Sequence, residues 1–222
     1  MSTTLSTAPM APLLEHLFAQ EATSSALARD AFADVPAEER ERMLRSRTDY
    51  LALYSRLKDV PLAVSRETGA LLYMLARGTR ARSILEFGTS FGISTLHLAA
   101  ALRDNGGGRL ITTEFEPSKA ARARAHLEAG GVHDLVELRE GDALETLARG
   151  LPETLDLVLL DGAKALYPDV LALVEARLRP GALIIADNAD RSPEYLARVR
   201  AVAGPYMSLP FGPEVEVSMR LG

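Results

Sequence analysis

The central part of the chain alternates short apolar runs with stretches in which apolar residues recur at helical spacing. The short runs predict strands at 82–87, 109–114, 135–140, 155–160 and 182–186. The stretches with helical spacing predict helices near 92–103, 117–129, 142–149, 165–178 and 192–203. Strands that alternate with helices are typical of a parallel sheet with right-handed crossovers. The pattern therefore predicts a doubly wound α/β fold.

Amphipathic stretches precede the predicted sheet. Residues 11–32 and 37–58 each have an apolar stripe at helical spacing, and Ser65 is a suitable N-cap for a further helix. None of these stretches contains a recognisable chemical motif. We therefore expect a helical cap or dimerisation segment at 1–60 and an α/β domain at 61–222.

The pattern changes near the end of the chain. Residues 206–211 and 214–221 are joined by Gly212 and Pro213, which leaves no room for a helix, and residues 214–221 alternate apolar and polar side chains. This arrangement predicts a closing β-hairpin, and hence an antiparallel strand at the C-terminal side of the sheet.

Composition narrows the possible functions. The 222 residues carry a net charge of −5 without a basic stripe, which argues against a nucleic-acid partner. Cysteine is absent, so disulfides, thiolate metal sites and a cysteine nucleophile are excluded. No apolar run reaches membrane-spanning length, and the first residues do not have the pattern of a signal peptide. We expect a cytoplasmic protein with no membrane partner.

The first predicted strand leads into a turn bounded by glycines. Gly88 and Gly92 lack Cβ atoms, so a ligand could approach the backbone closely there. Ser94 adds a hydroxyl in the first turn of the following helix, whose free N–H groups favour an anionic ligand. Taken alone, this turn could also be one that binds nothing.

Acidic residues follow several of the predicted strands. In a parallel sheet these positions share one edge, where ligands of such folds bind. Glu114 at the end of the second strand is suited to accept hydrogen bonds from ribose hydroxyls, and Asp142 one strand further is suited to accept one from an amine such as adenine N6. Alternatively, Asp142 is only the N-cap of the next helix.

A second polar set follows the fourth and fifth strands. Asp161, Asp187 and Asn188 would supply oxygen ligands only, which suits Mg²⁺ or another hard divalent cation. The alternative is that 161–162 and 187–188 are two independent turns. Beside a cation, Lys164 would have a lowered pKa and could act as a general base, although a lone lysine is more often a surface residue.

The ordered set of motifs resembles the cation-dependent class I S-adenosylmethionine O-methyltransferases, which include the catechol and caffeoyl-CoA O-methyltransferases and many bacterial relatives. The matching stretches are L-E-F-G-T-S-F-G-I-S at 85–94, I-T-T-E at 111–114, E-G-D-A at 140–143, L-D-G-A-K-A-L-Y at 160–167 and I-A-D-N at 185–188. The resemblance extends from about residue 62 to the end of the chain. It implies a Rossmann-like, seven-stranded sheet that is mostly parallel with an antiparallel C-terminal strand, and a methyltransferase domain at 61–222.

The resemblance also implies roles for individual residues. The implied cofactor contacts for S-adenosylmethionine are Val64, Glu86, Gly88, Ser94, Glu114, Asp142, Ala143 and Asp161. The implied metal ligands for Mg²⁺ or another divalent cation are Asp161, Asp187 and Asn188. The implied catalytic residues are Lys164, as the base, and Asp161.

The implied reaction is methyl transfer to a hydroxyl of a small molecule with vicinal phenolic hydroxyls, by a homodimer. The family often has an aromatic residue, frequently Trp, soon after the Asp-Asn pair, whereas this chain contains no Trp, which leaves the acceptor pocket undefined. Three other functions remain open: an NAD(P)-dependent oxidoreductase, a cofactor-binding protein without catalysis, and a methyltransferase that needs no metal.

Overall fold

The computed structural model describes residues 2–22 and 24–222. The helices are α1 (Met10–Glu21), α2 (Ser24–Ala31), α3 (Ala37–Arg45), α4 (Tyr50–Arg56), α5 (Arg66–Gly78), α6 (Ile93–Asp104), α7 (Pro117–Ala129), α8 (Ala143–Thr146), α9 (Tyr167–Val174) and α10 (Pro193–Val199). The strands are β1 (Ser83–Phe87), β2 (Arg109–Glu114), β3 (Val136–Glu140), β4 (Leu155–Leu160), β5 (Leu178–Ala186), β6 (Tyr206–Phe211) and β7 (Val215–Arg220).

The strands form one seven-stranded sheet in the order β3-β2-β1-β4-β5-β7-β6. Strands β1 to β5 pair in parallel, and β7 pairs antiparallel with both β5 and β6. The chain order reverses between β1 and β4, which is the switch point at which ligands of doubly wound folds bind. The predicted fold class, including the closing hairpin, is confirmed.

Helices cover both faces of the sheet, so the central strands carry apolar side chains on both sides. The five apolar residues of β4 are fully buried, and its one polar residue, Asp156, accepts hydrogen bonds from the backbone N–H groups of Arg82 and Ser83 at the start of β1. Burial on both faces is typical of a parallel strand in this class of fold. The sheet core therefore holds the carboxyl ends of β1 and β4 side by side.

The turn from β1 to α6 depends on its glycines. Gly88 has φ +99°, and a Cβ atom placed there would lie 2.7 Å from the carbonyl oxygen of Asp161. Gly92 has φ +90°, a conformation that L-residues rarely adopt. The close approach of Gly88 to Asp161 brings the ends of β1 and β4 together at the same edge of the sheet.

The N-terminal helices differ from their predicted extents. The stretch predicted as one helix at 11–32 divides into α1 and α2, and the stretch at 37–58 divides into α3 and α4. The second break has a local cause, because Ser46 Oγ accepts hydrogen bonds from the N–H groups of Thr48 and Asp49 and so competes with helical bonding. Met1 and Thr23, which belong to the predicted 1–60 segment, lie outside the described residues.

The N-terminal helices pack in two groups. Helix α1 contributes Met10, Leu14, Leu17 and Phe18 to the main core between α5, α6 and the sheet. The helices α2 to α4 enclose a small apolar cluster of their own, which includes Phe32, Met43 and Leu53. Tyr54 of α4 contacts both this cluster and the core on the other face of the sheet, so α4 lies over the carboxyl ends of the strands. In the described ranges, no helix is long and apolar enough to cross a membrane.

Candidate functional site

A cavity lies at the carboxyl ends of β1, β2, β3 and β4, under helix α4. Its lining includes five of the residues predicted to contact a cofactor, namely Gly88, Glu114, Asp142, Ala143 and Asp161. Other lining residues are Tyr50, Tyr54, Leu62, Phe87, Ser90, Thr113, Phe115, Lys119, Gly141, Gly162, Ala163 and Leu166. The mostly apolar wall with a few convergent polar groups is the usual character of a small-molecule site.

Glu114 is held in place at the end of β2. Its two carboxylate oxygens accept backbone hydrogen bonds from Glu116 (3.0 Å) and Ser90 (2.8 Å). Burial raises the pKa of Glu114, while these backbone N–H groups and the charge of Lys119 oppose the rise. The carboxylate therefore sits fixed at the cavity wall, with further lone pairs available to hydroxyl donors.

Asp142 has two partners. Its Oδ1 accepts the N–H of Leu144 at 2.9 Å, so it caps the short helix α8 as the alternative interpretation expected. Its Oδ2 accepts a hydrogen bond from the hydroxyl of Tyr50 in α4. The side chain thus both caps a helix and faces the cavity, and its second oxygen is engaged by the overlying helix.

Three other predicted cofactor residues lie outside this cavity wall. Glu86 is fully buried and accepts hydrogen bonds from the hydroxyls of Ser94 (2.5 Å), Thr95 (2.6 Å) and Thr112 (2.6 Å). Burial raises the pKa of Glu86 to about 7, despite these donors. Val64 instead lines a separate cavity together with Asp187, Asn188 and Glu214. The predicted set is therefore divided between two cavities and the polar cluster of Glu86 within the core.

Asp161 and Lys164 form a nearly buried ion pair. Lys164 Nζ lies 2.7 Å from Asp161 Oδ1, and Lys164 is 9% exposed. Burial would lower the pKa of Lys164, but the charge of Asp161 raises it well above its ordinary value, with smaller contributions from neighbouring tyrosines and Asp187. In this ion pair the carboxylate of Asp161 stabilises the ammonium, and the lowered pKa expected for Lys164 beside a cation stays a prediction.

Asp187 and Asn188 follow β5, next to the end of β4. The N–H of Asp187 donates to the carbonyl of Leu160 (2.9 Å), and the carbonyl of Asp187 accepts the hydroxyl of Tyr167 (2.7 Å). Burial and the adjacent charge of Asp161 raise the pKa of Asp187 to about 7. The predicted juxtaposition of Asp161 with Asp187 therefore occurs, at the junction of β4 and β5.

Asn188 adopts a left-handed conformation with φ +47°, which turns the chain sharply after β5. Its Nδ2 donates to Glu214 Oε2 at 3.3 Å, and the next N–H, of Ala189, donates to the carbonyl of Glu214 at 2.8 Å. The closing-hairpin loop thus holds this turn, and Oδ1 is the Asn188 atom left to bind a ligand.

Sequence reasoning missed several residues of the cavity, above all Tyr50, Tyr54, Ser90 and Lys119. The tyrosines come from a helix whose placement has no signal in the sequence. The sequence contains only a weak indication of Lys119. This residue lies in the first turn of the helix that follows Glu114, from which a side chain can reach back over the end of the strand.

Comparisons with known proteins bear on this geometry. A sequence profile of the family described as "Methyltransferase domain" matches residues 85–189. A catechol O-methyltransferase of Niastella koreensis is 36% identical over 138 residues, which are 61% of this chain and 62% of that protein. A catechol O-methyltransferase of Mycobacterium tuberculosis is 38% identical over 136 residues, 61% of each chain. The matched region thus spans about three fifths of the length of these curated relatives.

A solved structure is similar over more of the chain. It is an O-methyltransferase from Streptomyces achromogenes, involved in tomaymycin synthesis and solved with S-adenosylmethionine. It is 28% identical with a TM-score of 0.64, and the likeness covers 91% of this chain and 99% of that one. Residues 85–189 of this chain thus match a methyltransferase-domain family, and the relatives named here are O-methyltransferases, one of them solved with S-adenosylmethionine.

Proposed function

We propose that this protein transfers a methyl group from S-adenosylmethionine to a hydroxyl of a small molecule with vicinal phenolic hydroxyls. The observation that carries the proposal is the cavity at the switch point of the sheet, whose wall holds Glu114 and Asp142 at the ends of neighbouring strands. Glu114 would accept hydrogen bonds from the ribose hydroxyls, and Asp142 one from the adenine amine. The names of the catechol O-methyltransferases among the relatives support the choice of acceptor.

The methionine part of the cofactor would extend from this cavity towards Val64. Gly88 and Ala143 would offer backbone to the cofactor, and Asp161 would lie near its reactive end. Glu86 and Ser94 hydrogen-bond to each other inside the core, so their predicted contribution would be to shape the turn at Gly88 rather than to line the cavity.

We further propose that Asp161, Asp187 and Asn188 bind a divalent cation such as Mg²⁺. The donor set suits such a cation. The carboxylates of Asp161 and Asp187 lie close enough for the charge of Asp161 to raise the pKa of Asp187, and a divalent cation between them would relieve that repulsion. In the described part of the chain, no three His, Cys, Asp or Glu side chains are grouped so that they could hold a metal. The proposed site differs from such a group because its third donor is the amide oxygen of Asn188. When bound, the cation would supply charge that lowers the pKa of a substrate hydroxyl.

Lys164 is the proposed proton acceptor. While Asp161 pairs with it, the ammonium of Lys164 is stabilised, which makes Lys164 a poorer proton acceptor. Binding of a cation by Asp161 would weaken this ion pair and so favour proton uptake by Lys164. Asp161 would then set the protonation state of Lys164 as well as hold the cation.

A second groove, lined in part by Lys164, is the proposed entry for the acceptor. It is lined by Lys164, Arg45, Arg47 and Arg191 together with Glu41, Asp190 and Glu194. The arginines among these side chains are a reason to include aromatic acids among the acceptors that are tested.

The experiment is methyl transfer from methyl-labelled S-adenosylmethionine to a panel of catechols, single phenols and dihydroxylated aromatic acids, with Mg²⁺ and with EDTA. We expect labelled product only from vicinal diols and a loss of activity in EDTA. Activity indifferent to EDTA would remove the metal role, and transfer to single phenols would remove the requirement for vicinal hydroxyls. Failure to methylate any hydroxyl in the panel while reducing or oxidising a substrate with NAD(P) would overturn the proposal.

A further inference from the structure

The chain uses lysine sparingly. Only three of its 25 Lys and Arg residues are lysines, and two of these, Lys119 and Lys164, are nearly buried at the candidate site. Lys164 has Asp161 as its partner. Lys119 lies in the first turn of α7, is 3% exposed and is not one of the proposed cofactor, metal or catalytic residues.

Lys119 has few partners for a buried ammonium. Its Nζ donates one long hydrogen bond to Ser90 Oγ at 3.5 Å and lies 5.7 Å from the centre of the Phe91 ring. It forms no ion pair with a carboxylate of the described residues. An ammonium carries three N–H donors, and leaving them unmet away from water is costly. An apolar side chain would fill this position without that cost, so packing alone does not account for the lysine.

Lys119 and Glu114 line the same cavity. They are close enough for each charge to affect the pKa of the other, yet they do not form an ion pair. A ligand atom that donates to the carboxylate and accepts from the ammonium would satisfy both. A hydroxyl group has both capacities, and a ribose offers two adjacent hydroxyls.

We propose that Lys119 is a cofactor-binding residue that donates a hydrogen bond to a ribose hydroxyl whose own hydrogen Glu114 accepts. The inference rests on the proposed function, because it takes the cofactor to be an adenosyl ligand in this cavity. Lys119 and Glu114 would then recognise the ribose together, with the lysine as hydrogen-bond donor and the glutamate as acceptor.

The protonation state of Lys119 fits this role. Burial lowers its pKa to about 8, while the charges of Glu114 and Glu116 oppose the fall. At neutral pH the ammonium form therefore predominates and can donate the hydrogen bond.

The test measures binding of S-adenosylhomocysteine by calorimetry to the wild-type chain, to Lys119→Met and to Lys58→Met. This ligand lacks the sulfonium charge, so loss of the lysine charge does not change affinity by relieving repulsion between the ammonium and a sulfonium. Lys58 is exposed and serves as the matched control. We expect Lys119→Met to weaken binding roughly tenfold, as for loss of one charge-assisted hydrogen bond, and Lys58→Met to leave it unchanged. Thermal unfolding of each variant shows that the fold is retained.

A second ligand separates ribose recognition from packing. The counterpart of S-adenosylhomocysteine with a 2′,3′-dideoxyribose should bind the wild type and Lys119→Met with equal affinity. Unchanged affinity of Lys119→Met for the natural ligand, or an equal loss for both ligands, would overturn the inference while leaving the proposed function intact. Absence of S-adenosylhomocysteine binding by the wild type would overturn the proposed function and this inference with it.

Discussion

At the scale of single residues, the buried carboxyl group of Glu86 makes the stability of the fold depend on pH. It is buried with three hydroxyl donors, and burial raises its pKa from 4.5 to about 7. The raised pKa means that the Glu86 carboxyl binds its proton more tightly in the folded chain than in the unfolded chain. The resulting contribution to the free energy of unfolding is fully present below about pH 4.5 and is lost as the pH rises through about 7. The expected loss is about 3 kcal/mol of unfolding free energy.

Glu86→Gln removes this titration. Urea unfolding of both chains at several pH values should therefore show the wild type losing stability relative to the variant by about 3 kcal/mol between about pH 4 and about pH 8. A difference between the two chains that is constant with pH would contradict the raised pKa of Glu86.

Lys164 offers a prediction about catalysis. Replacing it by Met removes the proposed base, so labelled methyl transfer should fall by about 10²- to 10⁴-fold, while the affinity for S-adenosylhomocysteine changes little. Lys58→Met is the control, with both quantities unchanged. Full turnover in Lys164→Met would show that the proton leaves by another route.

At the scale of elements, helix α4 covers part of the cavity at the carboxyl ends of the strands. Its Tyr50 donates a hydrogen bond to the Asp142 oxygen that the adenine amine would use. Cofactor binding would therefore have to displace or share this contact. The helix is only seven residues long, from Tyr50 to Arg56, and its main apolar support is the small cluster that includes Phe32, Met43 and Leu53.

Tyr50→Phe deletes the competing hydroxyl. We expect it to tighten binding of S-adenosylhomocysteine several-fold, up to about tenfold, since a hydrogen bond to a charged group no longer has to be exchanged. Tyr73→Phe is a matched control, because Tyr73 also donates to a carboxylate, Asp104, at 2.6 Å but lies in α5 outside the cavity. Equal or weaker binding by Tyr50→Phe would mean that this hydroxyl helps to hold the cofactor.

The bounds of the strands and helices show how much of the secondary structure the sequence alone predicts. Strands β2 and β4 begin and end where the apolar runs predict, because strands covered on both faces leave a strong pattern. Strand β5 begins earlier, at Leu178, because Leu178 already pairs with Leu155 of β4. The pairing is irregular over the following residues, where Gly181 has φ +79°, so no continuous apolar run marks this part of the strand. The N-terminal stretches divide into shorter helices because a local bond such as that of Ser46 outweighs helical periodicity.

The sequence predicted those residues of the candidate site whose positions follow from the topology of the sheet. Parallel strands bring their carboxyl ends to one edge, and so Glu114, Asp142 and Asp161 lie at the same edge of the sheet, where all three line one cavity. The contributions of Tyr50 and Lys119 depend on how α4 and α7 pack over that edge, which no motif records. The raised pKa of Lys164 likewise follows from its distance to Asp161, not from its place in the sequence.

At the scale of the whole molecule, the assignment of residues 1–60 as a dimerisation segment stays a prediction. Light scattering coupled to size exclusion should give twice the 24.0 kDa mass of one chain. A mass equal to one chain would leave α1 to α4 as a cap on the sheet alone.

The central claim is that the cavity at the strand ends binds an adenosyl cofactor through Glu114. The most direct measurement is calorimetric titration of the wild-type chain and of Glu114→Gln with S-adenosylhomocysteine, and of the wild type with NAD. We predict that the wild type binds S-adenosylhomocysteine and does not bind NAD. Glu114→Gln should bind S-adenosylhomocysteine at least tenfold more weakly, because the charged hydrogen-bond acceptor is lost. Tight NAD binding, or equal affinity of the wild type and Glu114→Gln for S-adenosylhomocysteine, would contradict the central claim.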